Sequence, residues 1–275
     1  MWRLSGFADE ISPDLDVQVE TLLGEGIKHL EFRGVWGKNV LTLSDEEIES
    51  FRATLAQHGM KVSSIGSPIG KIKITDDFKP HLAAFDRALH IARTVEAPFI
   101  RIFSFFMPDG DDPARYREEV LDRLHQIVRR AEGSGITLLH ENEKEIYGDI
   151  PSRCLDILTQ INSPALRAAW DPANFVQCGV RPFTEGYAAL QPFIAYIHVK
   201  DALLATGEVV PAGQGDGEWP QTIAALRDGG FDGFFSLEPH LREAGPFAGF
   251  SGPELFRTAV GALKGLLREQ GIAWA

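Results

Sequence analysis

Eight short runs rich in β-branched and aromatic residues recur along this chain, beginning near Leu4, Ile27, Lys61, Phe99, Ile136, Leu166, Ile194 and Gly233. Successive starts lie 23 to 39 residues apart, enough each time for a strand, a loop, one helix and a return turn. Parallel neighbours need a crossover of that size, so the alternation predicts a parallel sheet. Eight such units close on themselves, and the predicted fold class is α/β, a (β/α)₈ barrel. No Ser/Gly linker, long charge run or low-complexity segment interrupts the 275 residues, so one domain over 1–275 is expected.

Helix punctuation agrees with this division. SPDLDVQVETLLGEG puts Pro13 at a helix start, Leu15, Val19, Leu22 and Leu23 on one stripe, and glycines at the end. LSDEEIESFRATLAQHG carries a capping box of Ser44 with Glu47, an inward face of Ile48, Phe51 and Leu55, and a stop at Gly59. DDPARYREEVLDRLHQIVRRAEGSG starts at Pro113, holds Val120, Leu124, Ile127 and Ala131 in register, and ends at Gly133 or Gly135. The loosest stretches are TGEVVPAGQGDGEWP and EPHLREAGPFAGFSGP. They follow the seventh and eighth strands, on the face where barrels carry their active-site loops, and read as pocket walls or lids.

Composition narrows the function. A formal net charge of −12 opposes sequence-independent nucleic-acid binding, which needs a basic footprint. No stretch approaches the roughly 20 apolar residues of a membrane span. The start MWRLSGFADE has no apolar signal region, so a cytoplasmic protein with no membrane partner is expected. Cys154 and Cys178 lack CxxC spacing and read as free thiols. GSPIGK lacks full P-loop spacing, and Gly213, Gly215 and Gly217 form no dinucleotide fingerprint; they read as a mobile loop.

The chemistry gathers at Glu141 in LLHENE, Asp171 in AAWDPANF, His198 in YIHVKD and Glu238 in FSLEPH. Each stands at or just past the end of an apolar run, and the four runs are the fifth to eighth, neighbours around a barrel. Any one alone reads as a cap or turn residue, Asp171 before Pro172 above all. Together, three carboxylates and one imidazole form a typical ligand set for one hard or borderline divalent ion such as Mn²⁺, Co²⁺ or Mg²⁺, with Zn²⁺ a further possibility.

HENEKEIYGD, WDPANF, IHVKD and SLEPH make the chain resemble, over nearly its whole length, the xylose isomerase-like barrels, sugar phosphate isomerases and epimerases that include the ketose 3-epimerases. The resemblance implies that Glu141, Asp171, His198 and Glu238 bind one divalent metal and that Glu141 and Glu238 double as the acid/base pair. It implies proton transfer through a cis-enediolate on a small carbohydrate, and a homodimer or homotetramer. Two departures stand out. Asn174 occupies a position where many ketose epimerases have a substrate-contacting histidine, and Leu204 one where they have an arginine, leaving Lys200 as the nearest cation.

Further candidates for substrate contact are Asn174, Lys200, Glu31 and Arg101 toward the mouth, with His140 and His240 beside the glutamates. Strand alternation would aim His140 away from Glu141. Trp36, Phe105 and Phe106 could wall the pocket, whereas His29, His58, His81, His90 and His125 read as surface or packing residues. Isomerisation or epimerisation is the leading expectation. A metal-dependent lyase or dehydratase acting on a keto-polyol or keto-glycoside is the rival on the same scaffold. An endonuclease IV-like phosphodiesterase would need more His and Glu ligands and a basic groove, and a binding module would not need the four-ligand set.

Overall fold

A computed structural model describes residues 1–244 and 249–275. Its main sheet holds eight parallel strands: β1 (Arg3–Gly6), β2 (His29–Phe32), β3 (Lys61–Ile65), β4 (Phe99–Ile102), β5 (Thr137–Glu141), β6 (Leu166–Trp170), β7 (Ile194–Val199) and β8 (Phe234–Leu237). They are ordered β1-β8-β7-β6-β5-β4-β3-β2, the chain order taken around a ring. The ring closes between β1 and β2 through a single parallel bridge, Phe7 to Glu31. This is an α/β TIM barrel, as the spacing of the apolar runs requires.

Helices α1 (Leu15–Gly24), α2 (Asp45–Gln57), α3 (Phe78–Thr94), α4 (Arg117–Ala131), α5 (Pro151–Ile161), α6 (Pro172–Gln177), α7 (Trp219–Asp228) and α8 (Gly252–Glu269) lie between and after the strands. Two starts differ from the sequence reading. α1 begins after Asp14, whose carboxylate accepts from the Asp16 and Val17 amides, so Pro13 precedes the cap. Pro113 opens a 3₁₀ turn, Pro113–Tyr116, before α4. The Ser44–Glu47 capping box is present.

The large core lies between strands and helices, and a second cluster of Leu139, Ala169, Tyr196 and Phe234 fills the barrel itself. Because strand side chains alternate, the residue two places on from each of these points to the same interior. That places Glu141 above Leu139, His198 above Tyr196, and Ser236 then Glu238 above Phe234, so the apolar layer is the floor of the site. Among the described residues no helix is long and apolar enough to cross a membrane.

The glycine stretch after β7 is ordered rather than loose. Asp201 pairs into a short hairpin (Asp201–Ala202 with Val209–Val210), and its carboxylate accepts from the amides of Gly213 at 2.9 Å, Gly215 at 3.0 Å and Gly217 at 2.8 Å. A Cβ at Gly215 or Gly217 would overlap that carboxylate, which explains the glycines without any nucleotide. The stretch after β8 forms a hairpin of Glu243–Ala244 with Gly249–Phe250; the rest of the expected lid, residues 245–248, lies outside the described residues. Cys154 and Cys178 are both free.

Candidate metal centre

Glu141 is the last residue of β5, Asp171 and Glu238 are the first residues past β6 and β8, and His198 is the penultimate residue of β7. One ligand atom from each lies within 4.8 Å of the others, and all four side chains are buried. His198 Nδ1 is 2.9 Å from Glu141 Oε1 and 3.8 Å from Glu238 Oε2.

Each of the four side chains is aimed by a neighbour. His198 Nε2 faces Glu31 Oε2 at 3.2 Å, which turns Nδ1 toward the cluster. Asp171 is both cap and site residue: Oδ1 accepts from the Asn174 amide at 2.9 Å, starting α6, and Oδ2 is left for the cluster. The Asn142 side chain clamps the Asp171 backbone in both directions, donating to its carbonyl and accepting from its amide. Asn174 donates to Glu141 Oε1 at 3.3 Å. Glu238 Oε1 takes Arg33 Nη1 at 3.0 Å, with His240 Nε2 at 3.4 Å and Arg101 Nη1 at 3.5 Å, while Oε2 faces Lys200 Nζ at 3.2 Å.

So many buried charges must set one another's protonation. Burial disfavours the His198 imidazolium, but Glu141 and Glu31 outweigh it and raise its pKa well above the ordinary value. Burial likewise pushes the Glu141 carboxyl up, yet His198 and Arg101 bring it down to about 2. Glu238 is held well below the usual range because Lys200, His240 and His198 overcome its desolvation. Asp171 goes the other way, to about 6, since burial outweighs Lys200.

A cation fits this donor set. Glu141 Oε2, Asp171 Oδ2 and both His198 ring nitrogens are buried without an aligned hydrogen-bond partner. Arg101 and Lys200 stand within ion-pair distance of the two carboxylate oxygens, off the line of a hydrogen bond. An unmade buried acceptor costs about 1–3 kcal/mol. Convergence of the two carboxylate oxygens and His198 Nδ1 is accounted for by an ion that takes a lone pair from each, with His198 neutral and its Nε2–H kept on Glu31. Oxygen donors with one imidazole suit a hard or borderline divalent metal.

The model of the xylose isomerase-like TIM barrel family matches residues 23–266. The chain belongs to this family. A curated relative, 2-epi-5-epi-valiolone 7-phosphate 2-epimerase of Actinoplanes sp., is 27% identical over 228 residues, covering 82% of this chain and 80% of its own. Among solved structures, a D-tagatose 3-epimerase-like protein superposes with a TM-score of 0.80 at 16% identity over 98% of each chain. The IOLI protein with a bound zinc atom gives 0.78 at 15% identity, over 97% of this chain and 98% of that one.

Within this xylose isomerase-like barrel, the other sequence candidates divide. Asn174, Lys200, Arg101 and His240 come to the ligand cluster. Glu31, read as a mouth residue, instead lies behind His198 and is 1% exposed. His140 points away from the cluster, as alternation requires: its ring packs where a Cβ at Gly148 would stand, and burial lowers its pKa to about 4. Phe105 is core, while Trp36 is 39% exposed. Sequence reasoning gave no site role to Asp9, Glu10 or Asn142. Glu10 Oε2 accepts from the His240 amide and the Ser251 hydroxyl, and Arg33 Nε donates to Asp9 at 2.7 Å. The available signal was position, since Asp9 and Glu10 follow the end of β1 on the ligand-bearing face.

Proposed function

We propose that this protein is a divalent-metal-dependent isomerase or epimerase acting on a sugar or sugar phosphate by proton transfer next to a carbonyl. The supporting observation is the convergence of four buried candidate ligand atoms from consecutive strand ends, with Glu141 and Asp171 each presenting an oxygen that no hydrogen bond satisfies. The epimerase relative supports the reaction class, and the zinc-bound structural neighbour supports the metal.

In this reading Glu141, Asp171, His198 and Glu238 hold the ion, with Mn²⁺ or Co²⁺ the first to test. Bound there, a divalent metal supplies Lewis-acid polarisation of a substrate carbonyl, which makes the neighbouring C–H acidic enough for a carboxylate to remove its proton. Glu141 and Glu238 are the two proton carriers. Both are held ionised by their cationic neighbours, so either can accept the proton. Delivery to the opposite side of a planar enediolate uses the other glutamate after it has taken a proton from solvent, and the first then releases its own proton to solvent. Return to the opposite face of the same carbon gives epimerisation, and return to the neighbouring carbon gives isomerisation. Asn174, Arg101 and His240 lie beside these carboxylates and are the groups assigned to contact substrate hydroxyls.

The test is product analysis on a panel of ketoses and ketose phosphates with protein stripped by chelator and reloaded with Mn²⁺, Co²⁺ or Mg²⁺. Conversion that disappears on stripping and returns on reloading is expected. Conversion unaffected by complete metal removal would refute the reading.

A further inference from the structure

Two carboxylates of the cluster each have only one oxygen left for an ion. Asp171 Oδ1 is committed to capping α6 through the Asn174 amide, leaving Oδ2. Glu238 Oε1 is held by Arg33, with His240 and Arg101 close by, leaving Oε2. Lys200 Nζ touches the two oxygens that remain, at 3.0 Å from Asp171 Oδ2 and 3.2 Å from Glu238 Oε2. Lys200 is 4% exposed, so this ammonium is inside the site and not at its rim.

We propose that Lys200 is a built-in counter-cation of the metal centre, holding Asp171 and Glu238 together in the metal-free protein and yielding those oxygens when a divalent ion binds. The proposal rests on the metal reading above. A buried ammonium neutralises carboxylates that would otherwise repel one another without water to screen them. A divalent ion arriving at the same two oxygens meets that positive charge. It must displace the ammonium or bind against its repulsion, and either route weakens metal affinity. Lys200 therefore trades metal affinity for a preformed, folded metal-free site. The backbone has no part in the exchange, since the Lys200 carbonyl accepts from the Trp219 indole at 3.3 Å whatever the side chain does.

The experiment measures Mn²⁺ affinity by calorimetry, and thermal unfolding with and without Mn²⁺, for the wild type, Lys200→Met and Lys200→Arg. Methionine keeps an unbranched chain and removes the charge; arginine keeps the charge. Lys200→Met is expected to bind Mn²⁺ at least tenfold tighter than wild type, to melt lower without metal, and to gain more from saturating Mn²⁺. Lys200→Arg is expected to stay within about threefold of wild type in affinity, about 0.65 kcal/mol. If Lys200→Met does not fold alone, refolding it with Mn²⁺ should restore the fold, and failure of that rescue overturns the proposal. A folded Lys200→Met with unchanged or weaker affinity also overturns it, and leaves the metal reading standing. Absence of Mn²⁺ binding in wild type, or binding that Asp171→Asn leaves unchanged, overturns both.

Discussion

Replacing Asp201 by alanine tests whether one carboxylate orders the loop beside the site. In the folded protein it accepts from Gly213, Gly215 and Gly217 and, at 2.8 Å, from its neighbour Ala202. A hydrogen bond to a charged group is worth roughly 1.5–3 kcal/mol, so the lower figure over the three loop amides gives about 4.5 kcal/mol gross. Burial pushes the Asp201 carboxyl up despite these donors, so part of that sum already offsets the cost of taking the charge out of water. A net loss of about 2–3 kcal/mol remains, and it should be local, because the loop contributes little of the apolar core. Native-state hydrogen exchange reads it directly. The Gly213, Gly215 and Gly217 amides of Asp201→Ala should exchange about 30- to 150-fold faster than wild type, while β5 amides hold their protection. Unchanged protection of the three glycines would refute the reasoning, since nothing else in the loop accepts from them.

Glu31→Gln removes the carboxylate that turns His198 Nδ1 toward the cluster, and should weaken Mn²⁺ binding roughly 10- to 100-fold in a calorimetric titration. Acid should destabilise the protein through His81, which accepts from the Gly70 amide at 2.6 Å and is brought down to about 4 by burial and then Arg123. The folded-state value lies below the unfolded one, so the unfolded chain binds more protons between pH 6.5 and about 4, and stability falls as pH drops through that window. Denaturant midpoints should show the slope. His81→Gln should flatten the dependence relative to wild type; His140, also near 4, contributes with the same sign in this window, and Asp171, near 6, with the opposite one.

The barrel was legible because a parallel strand buried on both faces is an apolar run, and eight such runs at crossover spacing leave few alternatives. The gathering of Glu141, Asp171, His198 and Glu238 was legible for a related reason: they end neighbouring runs, and the barrel brings such ends together. Glu31 was misread because sequence shows that a strand residue points inward but not what it meets there, and only the register across the barrel brings it to His198. Asp9 and Glu10 passed unnoticed because they follow a four-residue strand, and a single bridge between Phe7 and Glu31 closes the barrel there. The glycine loop was read as mobile because its ordering group, Asp201, sits 12 to 16 residues earlier in the chain. Asp171 was read as either a cap or a ligand, and the structure uses one oxygen for the cap and turns the other into the cluster, against Lys200.

The most direct test of the central claim is deuterium incorporation from D₂O, followed by NMR after removal of the paramagnetic ion, on Mn²⁺-loaded wild type, Glu141→Gln and Glu238→Gln. The account predicts metal-dependent exchange of the C–H next to the substrate carbonyl in wild type, and a loss of well over tenfold in each variant. Exchange within tenfold of wild type, only about 1.4 kcal/mol of barrier, in a glutamine variant would contradict the assignment of that glutamate as a proton carrier.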